Sequence, residues 1–160
     1  MHKKFAIQSL LLVAVIFGGL YIFKSTLSQN TTTNTQTYVM INNAKIKIEI
    51  ADNSAKRAKG LGDRVSLASD SGMLFSFPQV GSYSFWMKGM KFPVDIIWIN
   101  GVKIVDLIKG AAPPAPGTKD QEIPIYLSNQ PFDKTLEVNS GFVDSHQIKV
   151  GDQIQIVEGR

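Results

Sequence analysis

The segment DIIWINGVKIVDLI, Asp95 to Ile108, decides the fold of this chain, because a turn signal stands between two apolar runs. Asn100-Gly101 lies between segments rich in β-branched residues, and this dipeptide favours a two-residue type I′ turn. The segment therefore predicts a β-hairpin whose strands cover Asp95–Ile99 and Val102–Ile108.

The register of this hairpin brings two acidic residues together. If Ile99 faces Val102, then Asp95 faces Asp106 on the neighbouring strand. Like charges directly opposite each other destabilise a sheet, so a bound cation, a basic side chain or a raised pKa of one carboxyl is expected to offset them. The candidate basic partners are Arg64, Lys88 and Lys91. A one-residue bulge would undo the pairing, and aspartates near strand ends are often simply solvated.

Strand patterns continue before the hairpin. Ala44–Ala51 alternates isoleucine with charged residues, which predicts a strand with one buried face. Tyr38–Ile41 is placed to pair with it as a second hairpin. The bulky apolar run Gly72–Phe77 predicts another strand, which Pro78 is expected to end.

Helix signals are few and short. Asn53 or Ser54 is expected to cap a helix that Gly60 ends, and one further helical turn is expected between the late strands TLEV (135–138) and QIQIV (153–157). Seven or eight short strands with one or two small helices predict a mainly β fold, a compact sandwich or a barrel-like domain.

The first apolar segment is long enough to cross a membrane. Residues 5–23 carry no charge, and a helix of that length spans roughly 28 Å, close to the hydrocarbon thickness of a bilayer. Lys3 and Lys4 favour a cytoplasmic N-terminus. We therefore expect a single-pass membrane protein, held in the bilayer by residues 5–23, whose residues 25–160 are extracytoplasmic, for instance periplasmic. The alternative is a cleaved signal peptide, which would leave those residues secreted.

Three regions follow from this interpretation. Residues 1–24 form the anchor or signal segment. Residues 25–37 form a Thr/Asn/Gln/Ser-rich tract that cannot bury a core and is expected to be a flexible linker. Residues 38–160 form the globular β-rich domain.

Composition narrows the possible functions. The chain contains no cysteine, which excludes disulfides and thiolate metal clusters. His146 is the one histidine outside the leader, so a multi-histidine zinc site within one chain is excluded as well. Beyond the leader the charges nearly balance, which argues against nucleic-acid binding. The sequence predicts neither a metal nor a cofactor.

Five motifs in this order resemble the family called domain of unknown function 192: KGLGDR (Lys59–Arg64), SGMLFSF (Ser71–Phe77), FWMKGMKFPVDIIWI (Phe85–Ile99), LEVNSG (Leu136–Gly141) and VGDQI (Val150–Ile154). The resemblance covers nearly all of residues 44–157. It implies a small, mostly β domain, often carried behind an N-terminal signal or anchor, without an established activity.

The resemblance also singles out individual positions. The matching residues are Gly60, Leu61, Arg64, Gly72, Met73, Phe75, Trp86, Met87, Lys88, Pro93, Asp95, Glu137 and Gly141. Two departures stand out: Gly89-Met90 replaces the usual Asn-Thr, and Gly62 replaces the usual Met. Asp106 is not part of the motif.

A ligand site is expected along the polar edge of the hairpin. Trp86 and Lys88 share one face of the predicted strand Ser84–Lys88, and an aromatic plane beside an ammonium group suits a small polar ligand. The proline-rich loop Lys109–Lys134 would flank the site. The expected ligand-binding residues are Arg64, Trp86, Lys88 and Asp95, with Asp106 and Glu137 as secondary candidates.

Three functions stay open for the outer domain. It could bind a small polar ligand or an envelope partner. It could be a structural or assembly domain in which Arg64 and Asp95 form a buried ion pair. It could be an envelope-directed hydrolase in which Asp95 acts as acid or base with Asp106 or Glu137. Because the sequence has no Gly-x-Ser-x-Gly motif and no cofactor site, catalysis is the less favoured alternative.

Overall fold

The computed structural model describes residues 36–159, which form a mainly β fold. The strands in this part of the chain are β1 (Thr37–Ile41), β2 (Ala44–Ala51), β3 (Ser71–Gly81), β4 (Phe85–Trp86), β5 (Val94–Asn100), β6 (Lys103–Ala111), β7 (Ile125–Tyr126), β8 (Phe132–Asn139) and β9 (Ile154–Glu158). The helices are α1 (Ser54–Lys59), α2 (Phe142–Ser145) and a 3₁₀ turn at Asp120–Glu122. The predicted mainly β class with short helices is confirmed.

Seven of the strands form one sheet, in the order β6-β5-β8-β3-β2-β1-β9. The pair β2–β3 is parallel, and the other neighbours are antiparallel. The sheet curls until its two outermost strands meet at one end, where Lys103 bridges Gln153 and the Ile104 amide donates to the Asp152 carbonyl at 2.9 Å. Of the two predicted architectures, the barrel-like one is therefore the better description. Strands β4 and β7 pair separately as a short ribbon.

The first core is an apolar cluster to which all seven strands of the large sheet contribute. Its members include Val39, Ile46, Leu74, Ile97, Ile104, Leu136 and Ile154. The predicted alternation in β2 places Ile46 and Ile48 in this core, while Ile50, expected to point the same way, is exposed near the end of the strand.

The second core lies on the other face of the central strands. Met73 and Phe75 of β3 and Ile96 and Trp98 of β5 join aromatic residues from the flanking segments there. Since Ile97 and Ile99 belong to the first core, β5 is buried on both faces. This double burial explains why its sequence reads as a continuous apolar run instead of an alternating one.

The central hairpin β5–β6 forms, but its turn lies one residue later than predicted. Asn100 pairs with Lys103, so the loop is Gly101-Val102. Gly101 has a φ of +62° and Val102 has no positive φ, which fits a type II′ turn with glycine first. The type I′ prediction is wrong because Asn100 stays in the strand, where its side-chain amide donates to the Pro131 carbonyl at 3.2 Å.

The predicted pairing of Asp95 with Asp106 is also wrong. The register changes between Ile99, which faces Ile104, and Trp98, which faces Asp106, so β6 contains an extra residue at this point. Asp106 accepts a hydrogen bond from the Asn129 amide at 2.7 Å. Because the two carboxyls are not opposite each other, no cation is needed between them.

Asp95 is a fully buried carboxylate that connects three elements. Its side chain lies on the face of β5 that carries Ile97 and Ile99. It accepts hydrogen bonds from the Gly110 amide near the end of β6 at 2.8 Å and from the Val143 amide in α2 at 2.9 Å. Asp95 therefore fixes where β6 ends and where α2 begins.

Two other local predictions have different outcomes. Helix α1 is capped by Asn53, whose side chain accepts from the Lys56 amide, and it ends at Gly60 with a φ of +51°. Both parts of that prediction are confirmed. Pro78 does not end its strand, however, because β3 continues to Gly81 across an irregularity in its pairing with β8.

The predicted anchor lies outside the described residues, as does the predicted linker except for its last two residues. The anchor, the linker and the boundaries between the three regions remain predictions. In the described range, 36–159, there is no helix with the length and apolar character needed to cross a membrane.

We expect Asp95→Ala to destabilise the fold by about 3 kcal/mol, because the buried Val143 amide and the partly buried Gly110 amide both lose their acceptor. Asp95→Asn should cost less, since one side-chain oxygen remains. Urea denaturation of the purified full chain measures both effects. The matched control is Asp144→Ala, which removes an exposed ion pair with Lys109 and should change the unfolding free energy by less than about 1 kcal/mol. Equal effects at the two aspartates would contradict the structural role of Asp95.

Candidate functional site

A cleft of about 240 Å³ opens on the second core, between α1, the ribbon strand β4 and the central strands. We call it the Glu137 cleft. The residues that give it its chemical character are Arg57, Lys59, Phe75, Phe77, Phe85, Trp86, Lys88 and Glu137.

Glu137 is the acidic residue of this cleft. It lies in β8 between Met73 of β3 and Ile96 of β5, and only 5% of its surface is exposed. Burial raises the pKa of its carboxyl to about 8. None of the described residues donates a hydrogen bond to this carboxyl, although a buried polar group without a partner is costly. The carboxyl is thus available to a group that enters the cleft.

Two neutral polar groups lie on the same face of the sheet. Thr135 is two residues from Glu137 in β8, and Trp98 faces Thr135 across the pairing of β8 with β5. The Thr135 hydroxyl and the Trp98 indole N–H are buried, and neither has a hydrogen-bond partner within the described part of the chain. Glu137, Thr135 and Trp98 thus form a row of polar groups on an otherwise apolar face. Such a row is unusual, because buried polar groups are normally hydrogen-bonded.

An aromatic cluster forms the wall of the cleft. Phe85 meets Phe75 edge to face, with ring centroids 5.3 Å apart, and also meets Phe77 edge to face at 6.2 Å. Tyr83 stacks on Phe77 at 3.9 Å. Such contacts fix ring orientations, so the wall is pre-formed.

The rim of the cleft carries an exposed apolar pair. Trp86 is 47% exposed, and its cross-strand neighbour in the ribbon, Ile125, is 63% exposed. The Lys88 ammonium lies 5.1 Å from the centre of the Trp86 ring and forms an ion pair with Asp120. The predicted neighbourhood of Trp86 and Lys88 is therefore present, although β4 is shorter than the predicted strand.

Arg57 is the cationic residue that sequence reasoning missed. Its guanidinium lies 5.2 Å from the centre of the Phe77 ring and donates to the Ser76 carbonyl at 2.9 Å. It forms no ion pair with any acidic residue between positions 36 and 159. A six-residue helix has too few turns for a periodic signal, so the sequence alone could not assign Arg57 to a site.

The structure separates the predicted site residues into two groups. Trp86, Lys88 and Glu137 line the cleft, whereas Arg64 and Asp95 do not. Arg64 forms a two-point contact with Glu49 of β2, with Nη2 to Oε2 at 2.8 Å, and this contact lowers the pKa of the Glu49 carboxyl.

The predicted buried ion pair between Arg64 and Asp95 is wrong. Asp95 has its hydrogen bonds from backbone amides, and Arg64 has its own carboxylate in Glu49. Asp106, a secondary candidate, is bound to the segment after β7 through Ser128 and Asn129 and does not line the cleft.

The arrangement is suited to binding. Glu137 is the one carboxyl among the described residues that line the cleft. The same part of the chain contains no group of three His, Cys, Asp or Glu side chains placed to hold a metal ion. What the cleft offers is one buried carboxyl, an aromatic wall and cations at the rim.

Comparisons with known proteins agree with the fold. The model of the DUF192 family, described as uncharacterized ACR, matches residues 37–156. A crystal structure of a candidate transcription regulator from Sinorhizobium meliloti 1021 is 26% identical, covers 76% of this chain and 92% of its own, and has a TM-score of 0.66. A protein of unknown function from Novosphingobium aromaticivorans DSM 12444 is 25% identical. The match covers 79% of this chain and 89% of that protein, with a TM-score of 0.67. No curated protein matches the sequence significantly.

The raised pKa of Glu137 predicts a pH-dependent stability. Its carboxyl keeps its proton in the folded state up to about pH 8, whereas the unfolded chain releases it near the ordinary value of 4.5. Between these values the folded state binds more protons, so stability falls as pH rises, by about 1.4 kcal/mol per pH unit from this residue. The stabilisation that results from the raised pKa of Glu137 has its full value below pH 4.5 and is lost as the pH rises to about 8.

Glu137→Gln should remove this component, because the amide does not titrate. Urea denaturation at several pH values between 5 and 8.5 gives the slope of the unfolding free energy against pH for the wild type and for the variant. We expect the variant to be less dependent on pH and more stable than the wild type at pH 8. Parallel curves for the two proteins would show that Glu137 does not have a raised pKa.

Proposed function

Since the chain belongs to the DUF192 family, for which no activity is established, we propose a function from the site itself: residues 38–160 form an extracytoplasmic binding module that holds a small polar ligand in the Glu137 cleft. The observation that carries this proposal is the buried Glu137 carboxyl, which has no partner among the described residues and lines an open cleft. A ligand that offers a donor or a positive charge would supply the missing partner and offset the cost of burial.

The other features of the cleft support a binding role. Small-molecule sites are concave, mostly apolar and pre-formed, with a few polar groups that orient the ligand. Phe75, Phe77 and Phe85 provide the apolar wall, and Arg57 and Lys88 provide polar groups at the rim. The partly exposed Trp86 would cover one side of a bound molecule.

The two alternative functions have less support. A hydrolase that works with two carboxyls needs the second one within about 10 Å on the other side of the substrate. Asp95 lies on the opposite face of the sheet, and Asp106 is outside the cleft. A purely structural domain would leave the Glu137 carboxyl unexplained, although it accounts well for Asp95.

The proposed location follows from the first 37 residues of the sequence. An anchor at residues 1–24 would hold the module at a membrane, and the linker 25–37 would give it a reach on the order of 20 Å. The cleft would then sample ligands or envelope partners close to the outer surface of that membrane.

A ligand should be detectable through its effect on stability. We expect a thermal-shift screen of metals, sugars, nucleotides, amino acids and envelope fragments to give at least one hit. A ligand at 100 times its dissociation constant adds about 2.7 kcal/mol to the free energy of unfolding. The shift should be lost in Glu137→Gln and reduced in Trp86→Ala.

The control variant is Asp144→Asn, which alters an exposed residue away from the cleft and should keep the full shift. Circular dichroism and the urea midpoint of each variant show that it is folded. A hit that survives both cleft substitutions would place the ligand elsewhere, and a complete screen without hits would count against a small-ligand function.

The anchor is tested separately by fractionation of bacteria that express the full chain. We expect the protein in the membrane fraction after alkaline extraction, with residues 38–160 accessible to protease added from outside the cytoplasmic membrane. Mass spectrometry should find the intact N-terminus. A mature chain that begins after residue 24 and is recovered in the soluble fraction would instead show a cleaved signal peptide.

A further inference from the structure

We infer that the Glu137 cleft is built for a small zwitterion of the α-amino acid class, whose ammonium group binds Glu137 and whose carboxylate binds Arg57. This inference rests on the proposed binding function and makes it specific. It is drawn from the charges that line the cleft, from the surface between them and from the size of the space.

The first argument is the charge pattern. Four acidic or basic residues line the cleft, and two of them, Lys59 and Lys88, have carboxylate partners in Asp63 and Asp120. Arg57 and Glu137 are left, one positive and one acidic, and they do not form an ion pair with each other at 4.0 Å or less. A ligand with two opposite charges would satisfy both residues at once.

The second argument is that both groups have hydrogen-bonding capacity to spare. A guanidinium has five N–H donors, and the Arg57 group directs one bond to Ser76 while it lies against Phe77. Its position is thus fixed, and its fork geometry is suited to a carboxylate. The carboxyl of Glu137 accepts no hydrogen bond from the described residues.

The third argument is the nature and size of the space. Phe75, Phe77 and Phe85 form a wall against which a short carbon skeleton can lie. A volume of about 240 Å³ is below the roughly 300–1,000 Å³ of pockets for drug-sized ligands. The cleft therefore matches a molecule with the dimensions of an amino acid.

The principal alternative is a neutral ligand that accepts a hydrogen bond from protonated Glu137, and pH separates the two. The groups that face Glu137 are the neutral side chains of Met73 from β3 and Ile96 from β5, together with the basic residues Arg57, Lys59 and Lys88 that line the cleft. An ammonium ligand needs the ionised carboxyl, so its affinity should rise up to about tenfold per pH unit towards pH 8. A neutral acceptor would bind more weakly above pH 8.

The experiment uses the full chain, isothermal titration calorimetry and three matched probes. The twenty standard amino acids are ranked first, and L-leucine is then compared with 3-methylbutylamine, which lacks the carboxylate, and with 4-methylpentanoate, which lacks the amine. We expect L-leucine to bind at least about tenfold more tightly than either probe, because each loses one charge-assisted contact.

Variants assign each charge of the ligand to a residue. Glu137→Gln should remove the advantage of L-leucine over 4-methylpentanoate, and Arg57→Gln should remove its advantage over 3-methylbutylamine. Lys56→Gln is the matched control, since Lys56 precedes Arg57 in α1, does not line the cleft and is paired with Asp52, and it should change affinity less than twofold. Urea midpoints show that each variant is folded.

The outcomes keep this inference distinct from the binding function. In one outcome, amino acids fail to bind at millimolar concentration while another class of compound gives a thermal shift that depends on Glu137. That result would leave the proposed binding function intact and overturn the inference of a zwitterionic ligand. Amino acids that bind equally well to Glu137→Gln and Arg57→Gln would overturn it too. If no compound of any class binds, the proposed function fails with it.

Discussion

The burial of β5 on both faces is the constraint on which the rest of the structure depends. A strand that carries apolar side chains on both of its faces must be covered on two sides. The large sheet covers one side by curling around the first core, with β9 meeting the start of β6. The other side is covered by apolar residues that flank the sheet: Leu61 and Leu67 after α1, Phe85 and Tyr126 of the β4–β7 ribbon, and Met87 and Met90. That second cover is incomplete, and the Glu137 cleft is the gap that it leaves.

The two buried acidic residues of the central strands show how opposite environments separate structural and functional roles. Asp95 lies on one face, and its two oxygens accept hydrogen bonds from two backbone amides, so its carboxyl has its partners within the fold. Glu137 lies on the other face with no such donors, and burial raises its pKa to about 8. A protein that needed only stability would gain by replacing Glu137 with an apolar residue. Retaining a costly group in a cleft is typical of sites where function is balanced against stability.

Much of the fold could be predicted from local patterns, because each pattern reflects one element. The alternation in Ala44–Ala51 and the cap at Asn53 are set by neighbouring residues, and the structure reproduces the cap and the alternation as far as Ile48. The turn at Gly101 and the bulge in β6 depend on contacts with the segment 129–133, which no local pattern encodes. The same limit applies to the site. Trp86 and Lys88 are close in sequence, so a local pattern predicts that they are neighbours, whereas Arg57 and Glu137 come together only through the fold.

The position of β1 has a mechanical consequence. β1 lies between β2 and β9, antiparallel to both, and the Gly159 amide donates to the Gln36 carbonyl at 2.7 Å, so the two ends of the described chain emerge side by side. When a pull from the proposed membrane anchor enters the domain at Gln36 and is directed along β1, it loads this strand lengthwise. Such a force would shear two hydrogen-bonded ladders along their whole length instead of peeling them one rung at a time. The domain would therefore resist tension at the point where a tether is expected to hold it.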